Sequence, residues 1–140
     1  MKVTLIDSNI LIDVMLRDSD WYTRSSSALK KAGDESVLAI NAIIYAEISA
    51  TFHKIEDLDN ALPITIYRRE PIPYEAAFLA GRAFIKYRRR GGTRTSPLPD
   101  FYIGAHAAIA GFGILTRDPR RYRDYFPTVE LIAPRPRSIL

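Results

Sequence analysis

A chain of 140 residues, 47% hydrophobic and 26% charged, has the size and balance of one soluble globular domain, 1–140, able to support its own core. It contains no cysteine, which excludes disulfides, zinc–thiolate sites, iron–sulfur clusters and thiol nucleophiles, so any metal must be held by oxygen or by the two histidines. Twenty basic and 16 acidic residues leave a modest net charge of +4; the arginines gather at Arg88, Arg89, Arg90 and Arg94 and again at Arg117, Arg120, Arg121 and Arg123, local patches that suit a polyanion such as nucleic acid.

Val3–Ile6 is a short uncharged run that predicts a buried strand. Asp7-Ser8-Asn9 offers three good N-caps for a helix through Ile10–Leu16. Another helix follows Asp18-Ser19-Asp20-Trp21, where Trp21 fits either the core or a partner contact. Ser36–Ile40 predicts a second strand, and Asn41 caps a helix from Ala42 to about His53. Residues 56–67 follow no single pattern: Pro63 breaks any helix, and Ile64–Tyr67 suits strand or helix. Pro71-Ile72-Pro73 is assigned a short strand. Tyr74–Arg90 has amphipathic, alanine-rich helical spacing and stops at Gly91-Gly92. After a loop over Thr93–Pro99, Asp100 opens a helix to about Ala110. Ile114–Thr116 is a strand, Asp118-Pro119 starts a short basic helix, Val129–Ile132 is a last strand, and Pro134–Arg137 is a loose tail. Strands alternating with helices predict a central, mainly parallel sheet covered on both faces, a three-layer α/β/α architecture. The amino terminus carries no basic segment leading into a long apolar run, and no apolar stretch approaches membrane-span length; the cytoplasm is the expected compartment.

In parallel α/β sheets, sites form beyond the carboxyl ends of the strands. Asp7 directly follows the first strand, Asp118 follows the Ile114–Thr116 strand, and Asp100 stands at a helix start. Glu47 falls on or beside the apolar stripe of Ile44, Ile48 and Phe52, where an unpaired carboxylate is costly. Each acid has an ordinary reading: Asp7, Asp100 and Asp118 as helix caps, Glu47 paired with Lys54 or an arginine. Together they would converge on one rim of the sheet, repel one another and require a cation. Oxygen-only ligation suits Mg²⁺ or Mn²⁺, and such an ion is standard equipment for phosphodiester hydrolysis.

These residues resemble a known family. Ile6-Asp7-Ser8-Asn9-Ile10-Leu11-Ile12 is similar to the opening motif of PIN domains, Ile44-Tyr45-Ala46-Glu47-Ile48 to the segment with their second acid, and Pro99-Asp100-Phe101-Tyr102-Ile103-Gly104-Ala105-His106-Ala107 followed by Leu115-Thr116-Arg117-Asp118 to the third and fourth. The resemblance runs through nearly the whole chain in order. It implies an endoribonuclease with an acidic Mg²⁺ or Mn²⁺ site. Asp7 and Asp100 would be the main ligands, with Glu47 and Asp118 binding partly through water or holding a second ion. Ser8, Asn9 and Thr116 would orient those carboxylates without adding charge. Asn41 stands where relatives often carry Ser or Thr. A chain of this length resembles VapC-type toxins of VapBC toxin–antitoxin pairs, which implies a homodimer, a small antitoxin partner and an RNA substrate; from the basic patches, Arg88, Arg89, Arg90 and Arg117 would hold the substrate backbone. His53 and His106 are read as structural. Two alternatives stand beside this. One is a non-catalytic RNA- or partner-binding module that keeps the fold. The other is a phosphohydrolase of the haloacid dehalogenase type, which would want an acid where Asn9 stands.

Overall fold

The computed structural model describes residues 1–136. Its strands are β1 (Val3–Ile6), β2 (Val37–Ile40), β3 (Arg68–Arg69), β4 (Gly113–Leu115) and β5 (Leu131–Ile132). Its helices are α1 (Ser8–Met15), α2 (Tyr22–Glu35), α3 (Ala42–Ser49), α4 (Ile55–Ala61), α5 (Tyr74–Arg89), α6 (Pro99–Ala110) and α7 (Arg120–Arg123). The five strands form one sheet in the order β3-β2-β1-β4-β5, and each neighbouring pair is parallel. Leu5, Ala39 and Ile114 have no exposed surface, as expected for strands covered on both faces. The crossovers from β1 to β2 and from β3 to β4 run in opposite directions across the sheet. Right-handed connections therefore set α2 and the α5–α6 pair on opposite faces, giving the three-layer arrangement. The sheet reverses its winding between β1 and β4, and the crevice at such a switch point is where α/β folds place ligands.

Four local expectations are corrected. The third strand is Arg68–Arg69, not Pro71–Pro73: Arg68 and Arg69 pair with Ala39 and Ile40, Glu70 N donates to Ile40 O at 2.9 Å, and the prolines that follow lack the N–H needed to continue the ladder. Ile64–Tyr67 is neither strand nor helix but a turn, with Ile66 N and Tyr67 N both donating to Pro63 O. α3 ends at Ser49 and does not reach His53: Thr51 N and Phe52 N donate to Ile48 O and Ser49 O, three residues back, and Thr51 Oγ1 also donates to Ile48 O, so the chain closes in tight turns. The carboxy-terminal segment is not loose where it is described: Pro134 is buried and Arg135 O accepts from Arg24 Nη1 at 3.4 Å; Arg137 lies outside the described residues.

α6 and α7 meet through a close approach. A Cβ built on Gly104 would fall 2.3 Å from Phe126 Cδ2, so only glycine lets the buried Phe126 ring lie on that helix. This packing seats α7 beside the start of α6.

Candidate active site

The register builds the site. Ile6 pairs with Leu115, so Asp7 and Thr116 leave β1 and β4 side by side, and Asp7 N donates to Leu115 O at 2.9 Å. Asp7 is the N-cap of α1, as its place before Ser8 predicts. Asp7 is 2% exposed, and its carboxylate takes three donors. Ser8 N reaches Oδ1 at 2.8 Å; Thr116 Oγ1 and Tyr122 Oη reach Oδ2 at 2.8 and 2.7 Å. Thr116 is also a hub. Its hydroxyl accepts from Asp118 N at 3.1 Å and from Asn9 Nδ2 at 3.4 Å, while Asn9 Oδ1 accepts from Arg117 N at 3.1 Å. The opening motif and the Thr116-Arg117-Asp118 segment are thereby stitched together.

The other acids surround Asp7. Asp100 occupies the first turn of α6, after Leu98 as N-cap and Pro99, so it faces the site and is not itself the cap. Its Oδ1 lies 3.4 Å from Tyr122 Oη and its Oδ2 3.7 Å from Arg121 Nη1. Burial pushes its carboxyl above the ordinary carboxylate range; Arg121 opposes this, and the charges of Asp7 and Asp118 add to it. Glu47 is half-buried, with Ser8 Oγ donating to its Oε1 at 3.1 Å in place of the Lys54 or arginine partner. It too is raised by burial, and by Asp7 and Asp100. Asp118 Oδ2 accepts from Arg121 Nε at 2.9 Å. Among the described residues, no group of three or more His, Asp or Glu side chains is arranged to clasp a metal ion. Between the acids stand two groups of α7: the Tyr122 hydroxyl between Asp7 and Asp100, and the Arg121 guanidinium between Asp100 and Asp118.

Asp7, Glu47, Asp100, Asp118, Ser8, Asn9 and Thr116 are thus brought to one rim. The arginines divide. Arg88, Arg89 and Arg90 close α5, which packs on the helix that carries Asp100: Tyr87 meets Phe101 edge-on at 5.7 Å, and Arg90 lies over Tyr125, whose ring meets Phe101 at 5.3 Å. Arg117 points elsewhere. Its Nη1 pairs with the buried Asp13 at 2.7 Å, its guanidinium lies over Trp21 at 4.4 Å, and Ser25 Oγ holds the other Asp13 oxygen at 2.7 Å. Its charge is paired within the fold, with the side chain 33% exposed. Trp21 is half-buried and has Arg24 over its ring as well, at 3.9 Å. His106 is buried and meets Asn41 Nδ2 through Nδ1 at 3.1 Å, consistent with a structural role, while His53 is exposed between α3 and α4. Sequence reasoning missed Tyr122 and Arg121 as site residues; the available signal was their place three and four residues after Asp118, one helical turn on.

The PIN domain family matches residues 4–125. No curated protein sequence matches the chain. Its fold is similar to a chain of VapBC2 from Rickettsia felis bound to a promoter DNA fragment, at 16% identity, covering 95% of this chain and 99% of that one with a TM-score of 0.71. It is also similar to a chain of VapBC-1 from nontypeable Haemophilus influenzae, at 14% identity, 94% and 97% coverage and a TM-score of 0.70. A chain of a toxin–antitoxin complex from Klebsiella pneumoniae matches at 21% identity, 90% and 94% coverage and a TM-score of 0.62. At these identities the likeness is one of fold. With the family match running from β1 past α7, and with the strand-end acids in place, the chain belongs to the PIN domain family.

Proposed function

We propose that the chain is a Mg²⁺- or Mn²⁺-dependent endoribonuclease and the toxin of a type II toxin–antitoxin pair, acting in the cytoplasm. The observation that carries this reading is the meeting of Asp7, Glu47, Asp100 and Asp118 at the carboxyl ends of β1 and β4, with Asp7 and Asp100 reaching for the same tyrosine hydroxyl. The donor chemistry fits a hard divalent ion. Every donor is oxygen, Asp100 and Glu47 are raised by burial and by their acidic neighbours, and Mg²⁺ commonly needs only one or two carboxylates because it keeps most of its water. Asp7 and Asp100 would hold the ion directly, with Glu47 and Asp118 bound through water or serving a second ion. When bound, it supplies Lewis acidity toward a phosphoryl oxygen and lowers the pKa of a bound water. Thr116, Ser8 and Asn9 keep the carboxylates oriented. Arg88, Arg89 and Arg90 hold the RNA backbone as water adds across a P–O bond, leaving one end as phosphate and the other as hydroxyl.

The toxin assignment draws on the fold shared with chains of VapBC and toxin–antitoxin complexes. Exposed apolar side chains that an antitoxin or a second copy would cover are present: Tyr74, Phe78 and Ile85 on α5, and Ile55, Ile64 and Ile66 around α4. Family membership argues against the haloacid-dehalogenase alternative, since Asn9 stands where that chemistry wants an acid. The test is incubation of partner-free protein with labelled structured RNA, in Mg²⁺, Mn²⁺ or chelator, beside Asp7→Asn. Cleavage that needs metal and disappears in the variant is the expected result. Folded protein that takes up no metal and cleaves no RNA would favour the non-catalytic module.

A further inference from the structure

Tyr122 is the largest side chain with no exposed surface, and its hydroxyl points into the acidic site. A buried phenol needs a partner for its O–H, and here there are two carboxylates: Asp7 Oδ2 at 2.7 Å and Asp100 Oδ1 at 3.4 Å. It has one proton to give, and the nearer oxygen takes it. A carboxylate has about four acceptor sites. On Asp7, Oδ2 is filled by Thr116 and Tyr122, and Oδ1 is half-filled by Ser8 N. One lone pair, on Oδ1, is left to face a ligand.

We propose that Tyr122 is a positioning residue of this centre: its hydroxyl locks the Asp7 carboxylate so that Oδ1 alone is offered to a divalent cation. Tyr122 acts through Asp7 and touches neither the ion nor the RNA. α7 brings it there: Pro119 O accepts from Tyr122 N, Tyr122 O accepts from Phe126 N, and Phe126 rests on Gly104.

This inference rests on the metal site proposed above, and the experiment separates the two. Mn²⁺ is titrated calorimetrically into wild type, Tyr122→Phe and Asp7→Asn. Thermal melts in chelator are run alongside, and RNA cleavage is followed over a range of Mn²⁺ concentrations. The Phe variant keeps the ring and loses the hydroxyl. Its expected Mn²⁺ Kd is raised about 10- to 100-fold, the size typical of losing an outer partner of a metal ligand. Its cleavage should recover most of its rate at saturating Mn²⁺, with the KM for RNA unchanged and its melt in chelator close to wild type. Wild type that binds Mn²⁺, beside a Phe variant that binds equally well or better, would overturn the role of Tyr122 alone. A Phe variant melting more than about 10 °C below wild type in chelator would also overturn it, as a structural residue. Wild type that binds no Mn²⁺ would overturn the metal site and this inference together.

Discussion

Replacing Gly104 by alanine tests how the site is assembled. The new methyl carbon would fall 2.3 Å from Cδ2 and 2.4 Å from Cε2 of Phe126. Carbon atoms ordinarily pack near 3.5–4.0 Å apart, so ring and helix must part by about 1.2 Å or more. The ring has little room to swing, being 2% exposed. Overpacking of this kind costs about 1–3 kcal/mol, and alanine returns about 1 kcal/mol of helix propensity. The net loss is up to about 2 kcal/mol. For a chain of 140 residues, with an unfolding entropy of about 2.1 cal/mol/K per residue, that is a fall in Tm of up to roughly 7 °C. The shift is transmitted to function, because α7 carries Arg121 and Tyr122. A displacement of about 1 Å is expected to slow RNA cleavage by up to about 100-fold. The assay is calorimetric melting in chelator together with cleavage rates, completed by Phe126→Leu and the double variant. Leucine makes room for the methyl, so the cycle should show a coupling of about 1 kcal/mol or more. A Gly104→Ala protein that melts within a degree of wild type at full activity, with an additive cycle, would refute this account of how α7 is seated.

Three further outcomes are expected. Arg117→Met should destabilise by about 1–3 kcal/mol in urea unfolding, less than for a fully buried pair because the Arg117 side chain is 33% exposed, and should leave RNA binding unchanged; loss of RNA affinity at full stability would return Arg117 to the substrate surface. His106 is held below its ordinary value of 6.5 by burial, with Glu70 pulling the other way. The unfolded chain therefore takes up the proton more readily, so the stability contributed by neutral His106 is complete above about pH 6.5 and is lost as pH falls toward the lowered folded value. His106→Gln should flatten the pH dependence of the urea midpoint across that window, and an unchanged slope would place the proton elsewhere. Replacing Arg88, Arg89 and Arg90 together by glutamine should weaken RNA binding and reduce its salt slope, by about 0.7 for each single-strand phosphate that the arginines no longer neutralise; an unaltered slope in filter-binding titrations would make them a solvated helix end.

The parts of the fold that could be read from sequence were those governed by local rules. β1 and β2 are short uncharged runs, mostly apolar, Asn41 caps α3 through Ile44 N, and Gly111 ends α6 in the left-handed conformation at φ 73°. Asp7 was readable because strand ends followed by helix caps are where α/β sites form. Glu47 betrayed itself by lying beside an apolar stripe, although its partner, Ser8, is 39 residues away and could not be inferred. What escaped depends on tertiary docking. Arg68–Arg69 joins the sheet as a strand of two charged residues, whose composition argues against a strand, because backbone pairing with β2 decides the matter. Tyr122 and Arg121 look like an ordinary basic turn until Phe126 settles on Gly104. Arg117 looked like part of a surface patch, and only the burial of Asp13 beside it assigns its charge inward.

The sheet's two margins have a consequence for assembly. β3 is two arginines long and runs into Pro71 and Pro73; β5 is two residues long and is followed by Pro134 and Pro136. Short, charged or proline-flanked margins are poor templates for another backbone to pair with. A second molecule has little to gain by extending this sheet. Contacts made side chain against side chain, over the helices and turns, are favoured instead, and the short margins protect the protein from stacking upon itself.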